Sequence, residues 1–327
     1  MYVFDIDKLR LGDIILIRSN SRISQMVRRL TQSKYSHAIL YVEICSVIDS
    51  DGYGVQSNNL QRRLIEKEDD AVVLRIKDEI STGILDKVEE FARRKIGTEY
   101  STEEAKVAMI NKELEAKEPN RQFCTRFIAQ SYKYAGIELV ENPDYCVPEE
   151  LLNSNKLMIV DNVLRKASKK EIEFANSENP LEKQHEIHNS IFQRARELSG
   201  KDVQTFEDIN EVLVSMGEID SDLTDFVKKS GFLTMMEEDV EKNPWHYDAD
   251  KMIEHYKNPE AIVNTAMFFA TEESKIRERL NISICSLIQL DKIFPREYFK
   301  MEIELYRKLI RYSHTREREA IKVLKYY

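Results

Sequence analysis

The feature that most constrains this chain is a change in the spacing of its apolar residues at about Asn162. Before that point, short runs of apolar and β-branched residues are bounded by Gly, Asp, Asn and Ser, which is typical of strands and turns. After it, apolar positions recur three and four residues apart among Glu, Lys and Arg, which predicts helices. A chain of 327 residues is also longer than one ordinary core supports. We therefore predict an α+β domain over residues 1–165 and an all-helical domain of unknown role over residues 166–327.

Several local patterns refine this division. Residues 82–95 carry apolar positions at helical spacing and end in cationic side chains before Gly97, which predicts a helix with a C-terminal stop. Residues 168–184 are charged and polar and are predicted to form an exposed connection. Residues 258–260 (NPE) supply an N-cap, a proline and an acid, which predict the start of a helix. The predicted strands of a small sheet are residues 13–18 (DIILIR), 38–43 (AILYVE), 71–76 (AVVLRI) and 156–160 (KLMIV).

The cysteines and the first residues of the chain bear on location and cofactors. The four cysteines are scattered without a CxxC pair, which indicates neither a disulfide framework nor a zinc site. We expect a reducing, cytoplasmic location and no metal or other cofactor. No basic segment followed by an apolar one opens the chain, and no run approaches the roughly 20 apolar residues of a membrane span. We therefore expect no signal peptide and no membrane span, while export as an effector without a classical signal stays open.

Charge argues against nucleic acid as a partner. The formal net charge is -9, and basic residues are interleaved with acids rather than gathered into a stripe. His185 and His188 lie three residues apart in a helical pattern, but no further ligand is evident, so we interpret them as part of a solvated helix face rather than a metal site. The sequence does not identify a protein partner of the helical half.

Cys124 is the candidate nucleophile. It directly precedes a helical pattern that runs to Ala135 and stops at Gly136. At a helix N-terminus, unpaired N–H groups and the helix dipole favour a thiolate and can face the oxyanion of a tetrahedral intermediate. His37, at the start of a predicted strand, is the candidate base. We interpret Tyr35 and Tyr100 as aromatic packing residues rather than as site residues.

The base needs a third group to orient it, and the sequence offers two. Glu43 shares the strand of His37, but at roughly 3.3 Å per residue it lies about 20 Å away. Asp49 lies on the strand predicted to pair back against that of His37. Because opposed residues share a face of the sheet, Asp49 can lie opposite His37 only if the connection has an odd length or the pair contains a bulge. We predict Asp49.

The first half of the chain also resembles a known family. It is similar to the circularly permuted branch of the papain-like NlpC/P60 superfamily, the YiiX/YaeF-type amidases, and more distantly to the lecithin:retinol acyltransferases. Asp stands where the family often has Glu or His, and the charged residues 101–120 look like an insertion. The similar segments are residues 11–15 (LGDII), 35–38 (YSHA), 47–49 (VID), 54–55 (GV), 97–100 (GTEY), 123–125 (FCT), 134–137 (YAGI) and 147–150 (VPEE).

The resemblance implies a permuted papain-like domain in which Cys124 is the nucleophile, His37 the base and Asp49 the orienting acid, with Asp13 as a structural turn residue. It implies a cysteine hydrolase acting through an acyl-enzyme, with peptide or isopeptide amides or lipid acyl esters as substrates. Three functions stay open: an amidase or peptidase with a polar cleft, a lipid acyltransferase or acyl hydrolase with an apolar groove, and a binding module in which the thiol is inert.

Overall fold

The computed structural model describes residues 1–43, 45–110, 118 and 120–327. Contacts divide the chain into two compact units, Met1–His185 and Glu186–Tyr327. The predicted domain boundary at residue 165 falls within the first unit, because residues beyond it still pair with its N-terminal strand and accept hydrogen bonds from Arg62. The insertion predicted over residues 101–120 is described up to residue 110 and at residues 118 and 120, and its other residues lie outside the described part of the chain.

The first unit is built on a six-stranded antiparallel sheet. Its members in chain order are β2 (Ile14–Ile17), β3 (His37–Glu43), β4 (Ser46–Asp51), β5 (Gly54–Asn59), β6 (Ala71–Ile76) and β7 (Leu157–Val160). Across the sheet the order is β5-β4-β3-β2-β6-β7, while β1 (Tyr2–Phe4) and β8 (Leu164–Lys166) form a separate pair. The predicted strands are confirmed. Strand β5 was not predicted, because its polar sequence GVQSNN lacks apolar alternation.

Alternation along the strands gives this sheet two buried faces. On one face, Leu40 and Ile48 pack with Phe127 of a long helix. On the other face, Ile39 and Val47 pack with residues near β1 and β8. The predicted helix over residues 82–95 is confirmed. The helices of this unit are α1 (Arg22–Thr31), α2 (Thr82–Arg94), α3 (Thr102–Ile110), α4 (Cys124–Tyr134), α5 (Pro148–Leu152) and α6 (Lys169–Ala175), and α7 (Pro180–Ser199) continues into the second unit.

The second unit is helical, as predicted. The side chain of Asn258 accepts a hydrogen bond from the backbone N–H of Glu260 and so begins the longest helix, as the NPE pattern predicted. Its helices are α8 (Phe206–Ser215), α9 (Asp220–Lys229), α10 (Met235–Lys242), α11 (Ala249–Tyr256), α12 (Pro259–Ile293) and α13 (Glu297–Leu324).

Two sequence interpretations are corrected. Residues 168–184 are exposed or half-buried, as predicted, but they are not a simple connection, because Ser168 and Glu171 form a capping box that begins α6. This S-x-x-E signal was present in the sequence. His188 does not lie on a solvated face: it is 8% exposed, and its ring contacts those of Phe206 and Phe232.

In the part of the chain that the structure describes, no helix combines the length and the apolar character needed to cross a bilayer.

Candidate active site

Cys124 is the first residue of α4, as the sequence predicted. Its side chain is largely buried, and the residues that follow it fix the beginning of the helix. The Thr125 hydroxyl donates a hydrogen bond of 2.6 Å to the carbonyl of Cys146. The guanidinium of Arg126 bonds the Glu104 carboxylate of α3 at 2.8 Å. The thiol therefore lies at the positive end of a helix dipole whose first turn is anchored on two sides.

His37 is the first residue of β3, and its imidazole has one partner on each side. Its Nε2 lies 2.7 Å from Oδ2 of Asp49. The Cys124 side chain forms a second hydrogen bond with the same ring, which raises the pKa of His37. The structure thus brings the three predicted side chains together in the order thiol, imidazole, carboxylate.

A bulge decides which face of the sheet Asp49 occupies. Glu43 pairs with Ser46 near the connection, but the register shifts between Tyr41 and Glu43, and farther along Ile39 lies opposite Asp49. Asp49 therefore shares a face with Ile39 and, two residues away, with His37. The choice of Asp49 required an odd-length connection or a bulge, and a bulge is present, although Asp49 lies opposite Ile39 rather than opposite His37. The rival Glu43 lies elsewhere, in an ion pair of 2.7 Å with Arg93.

Two donors that the sequence reasoning missed also bind the Asp49 carboxylate. Asn58 donates from Nδ2 to Oδ1 at 2.8 Å, and a guanidinium nitrogen of Arg63 lies 3.1 Å from Oδ2. The available signal was the polar strand GVQSNN itself, because a strand antiparallel to β4 presents alternate amide side chains to the Asp49 face. The position of Arg63, beyond the end of β5, had no comparable signal.

These contacts shift the ionisation of both partners. Burial alone would lower the pKa of His37, but its hydrogen bonds with Asp49 and Cys124, together with the negative charge of those groups, raise it to about 10. Burial alone would raise the pKa of Asp49, but the hydrogen bond from His37, the charge of Arg63 and the Asn58 amide lower it to about 2. At neutral pH the pair is therefore an imidazolium and a carboxylate.

The other cysteines have different surroundings. Burial raises the pKa of Cys45 to about 11 and raises that of Cys146 well above its ordinary value. Cys285 is exposed.

Burial, and next the negative charge of Cys124, raise the pKa of Tyr100, so its phenol stays protonated close to the thiol. Tyr35 is 5% exposed and packs in the core beside α4.

Comparison with known families gives a match within the first unit. Residues 8–155 match the model of a family described as permuted papain-like amidase enzymes of the YaeF/YiiX type. This part of the chain is therefore similar to a permuted papain-like domain. The match ends before α6, so the segment after residue 155 and the helical unit lie outside it. The family assignment supports a hydrolase of the amidase kind in general, and the matched range contains Cys124, His37 and Asp49.

Comparison with solved structures gives a weak similarity to one of them. A crystal structure described as the metalloprotein yiiX from Escherichia coli is 20% identical, with a TM-score of 0.39, and the alignment covers 47% of this chain and 97% of that one. No curated protein sequence matches the chain significantly.

Proposed function

We propose that this protein is a cysteine hydrolase that cleaves amide bonds through a triad of Cys124, His37 and Asp49. The observation that carries the proposal is the position of the His37 imidazole, which is hydrogen-bonded to the thiol on one side and to a buried carboxylate, at 2.7 Å, on the other. A cationic imidazole next to a thiol favours the thiolate, which is the nucleophilic form. This arrangement converts an ordinary thiol into a candidate nucleophile.

The proposed reaction has two stages. The Cys124 sulfur attacks the carbonyl carbon of the amide, and the His37 imidazolium gives its proton to the departing nitrogen as the C–N bond breaks. A water molecule then attacks the thioester carbonyl, and His37 takes a proton from it as the S–C bond breaks. The products are an amine, a carboxylic acid and the restored pair of thiolate and imidazolium. Backbone N–H groups at the start of α4 are oriented to stabilise the oxyanion.

A polar pocket lies beside Asp49, and neither Cys124 nor His37 lines it. It has a volume of about 300 Å³ and lies in the first unit, where two of its lining residues, Asn58 and Arg63, also bond Asp49. A pocket for an acyl chain would be lined mainly by apolar side chains. The proposed substrate class, peptide and isopeptide amides, is supported by the match to a family of amidases rather than by this pocket. The remaining lining residues include Asp51, Gln56, Asn59, Asn179, Glu182 and His185.

The proposed location is the cytoplasm. The four cysteines are free thiols, and free thiols persist in reducing compartments. Fractionation of cells that express the full chain, followed by immunoblotting, tests this part of the proposal. Recovery of the protein mainly outside the cytoplasm would contradict it.

Thiol alkylation tests the triad without a known substrate. The native protein is treated with iodoacetamide at neutral pH, and the modified cysteines are quantified by mass spectrometry. We expect Cys124 to react faster than Cys285, although Cys285 is the exposed thiol. His37→Ala should bring Cys124 to or below the rate of Cys285. Equal rates for the two thiols in the unaltered protein would favour the binding-module alternative.

Substrate profiling then separates the chemical classes. Hydrolysis of a peptide amide library is compared with hydrolysis of phospholipid and thioester acyl donors, using the unaltered protein and Cys124→Ala. We expect amide hydrolysis that depends on Cys124, and His37→Ala should reduce it by about 10²–10⁴-fold. Cys124-dependent activity on acyl lipids alone would overturn the amide assignment and favour the acyltransferase or acyl hydrolase alternative.

A further inference from the structure

The Asp49 carboxylate is 1% exposed, and both of its oxygens have described donors. His37 approaches Oδ2 at 2.7 Å from β3, on one side of β4. Asn58 approaches Oδ1 at 2.8 Å from β5, on the other side. Because Val47 pairs with Asn58 and Asp49 pairs with Gln56, Asn58 is a diagonal neighbour of Asp49 on the same face of the sheet. The amide of Asn58 therefore fixes the plane of the carboxylate that His37 meets.

Arg63 acts on the same carboxylate in a different way. Its guanidinium lies 3.1 Å from Oδ2, the oxygen that also bonds His37. Two cationic groups that share one oxygen repel each other, so Arg63 keeps Asp49 ionised while opposing the charge on His37. The ionisable groups that surround His37 are Asp49 from β4 and Cys124 from α4, with Arg63 one contact farther away beyond Asp49.

Arg62 connects Arg63 to a segment that follows the family-matched region. Its guanidinium bonds the carbonyl of Ser177 at 2.7 Å and that of Glu178 at 2.9 Å, and it lies over the ring of Phe174. These residues come after residue 155, where the match to the papain-like family ends. The backbone that carries Arg63 is therefore held by residues that the family model does not include.

We propose that Asn58 and Arg63 are positioning residues for Asp49. Asn58 fixes the orientation of the Asp49 carboxylate, and Arg63 balances its charge. Residues 174–178 hold Arg63 in place through Arg62. The assignment deepens the proposed function, because it gives the triad acid a supporting set of residues. The effect of Asn58 and Arg63 on the pKa of His37 can be measured whether or not the protein is a hydrolase.

The test is the titration of His37 by NMR in the full chain with ¹³C-labelled histidine. The chain has six histidines, and His37→Ala identifies the signal. The variants are made in a Cys124→Ala background, because Asp49 and Cys124 together raise the pKa of His37 to about 10. Removing the thiol lowers the titration midpoint of His37 into a range that is easier to measure. Four variants are compared in this background: Asn58→Ala, Arg63→Met, Arg63→Lys and Arg62→Gln. Arg165→Met, at an exposed ion pair with Glu171, is the matched control.

The proposal predicts shifts of opposite sign. Asn58→Ala should lower the midpoint, because a loosely held carboxylate bonds His37 less well. Arg63→Met should raise it by about one pH unit, because a repelling charge is lost. Arg63→Lys and Arg165→Met should leave it unchanged, and Arg62→Gln should raise it by less than Arg63→Met does. A general loosening of the fold would instead lower the midpoint in every variant.

The outcomes that overturn the proposal are distinct from those that overturn the function. Shifts of the same sign for Asn58→Ala and Arg63→Met, or no shift in either while circular dichroism shows a folded chain, would reject the positioning roles. A shift for Arg63→Met with none for Arg62→Gln would reject the role of residues 174–178. The proposed hydrolase fails separately, if alkylation of Cys124 in the unaltered protein proves independent of His37.

Discussion

Arg126, the third residue of the helix that begins at Cys124, forms a completely buried ion pair with Glu104 of α3. The guanidinium also donates to the carbonyls of Asp144 and Arg121, and the Tyr145 hydroxyl donates to Glu104. Ions this deeply buried are tolerated only when their charges and hydrogen bonds are satisfied. The pair therefore ties the segment before the candidate nucleophile to the helix that carries it.

Arg126→Met is expected to destabilise the first unit by about 3–5 kcal/mol, because Glu104 would be left buried without its counter-ion. Hydrogen exchange of peptides from residues 1–185 measures this effect, since the single tryptophan lies in the second unit. Arg165→Met, which removes an exposed pair, should cost no more than about 1 kcal/mol. Equal costs for the two variants would show that the buried pair has no special role.

Asp49→Asn is expected to reduce stability in a pH-dependent manner. The pKa of Asp49 is lowered to about 2, so its contribution is present above its ordinary pKa and is lost as the pH falls toward 2. The pKa of His37 is raised to about 10, so its contribution is complete below its ordinary pKa and is lost as the pH rises toward 10. The stability difference between the variant and the unaltered protein should therefore be largest at about pH 5.

Urea unfolding followed by circular dichroism at about pH 3, 5 and 9 measures this difference. Asp51→Asn, two residues along the same strand, is the matched control, because Asp51 makes no ion pair within the described residues. A difference for Asp49→Asn that stays constant across the three conditions would mean that the ion pair with His37 does not contribute to stability.

Tyr132 ties α4 to the loop before β2 through a hydrogen bond from its hydroxyl to the carbonyl of Gly12. Gly12 itself has a φ of +85°, and a Cβ there would lie 2.6 Å from a methyl carbon of Leu85. Tyr132→Phe should cost about 1–3 kcal/mol, because it leaves a buried carbonyl without a partner, and Gly12→Ala should cost at least as much. Hydrogen exchange of peptides from residues 1–185 measures both costs. Tyr134→Phe, at a tyrosine that is 45% exposed, should have little effect in this measurement.

Glu302 makes a separate prediction for the second unit. It is 1% exposed, and burial raises its pKa to about 8 although Tyr298 and Tyr306 donate hydrogen bonds to it. Its folded pKa lies above the unfolded value, so the group destabilises the unit increasingly as the pH rises from about 4.5 to about 8. Glu302→Gln should thus gain stability relative to the unaltered protein between pH 5 and about 8, measured by the fluorescence of Trp245 during urea unfolding. A gain that does not change with pH would contradict this.

Much of the first unit could be predicted from the sequence because its strands are apolar and its helices carry clear start and stop signals. Cys124 and His37 stood out for this reason, one at the start of a helix and the other at the start of a strand. Asp49 could be predicted because its strand pairs with the strand of His37. The bulge itself could not be predicted, since the sequence showed only that a bulge or an odd-length connection was needed. Asn58 and Arg63 could not be predicted in the same way, since the strand that carries Asn58 lacks apolar alternation and Arg63 lies beyond its end. His188 was misread because a histidine can pack among aromatic rings without any apolar signal of its own.

The bulge between β3 and β4 also limits how this part of the chain can vary in length. Adding or deleting one residue in that connection would turn the Asp49 side chain to the opposite face of the sheet, whereas a change of two residues would keep its face. Natural relatives that retain the carboxylate should therefore differ in this connection by even numbers of residues, or carry the acid at a neighbouring position. The length of this connection thus becomes a criterion for separating active homologues from inactive ones.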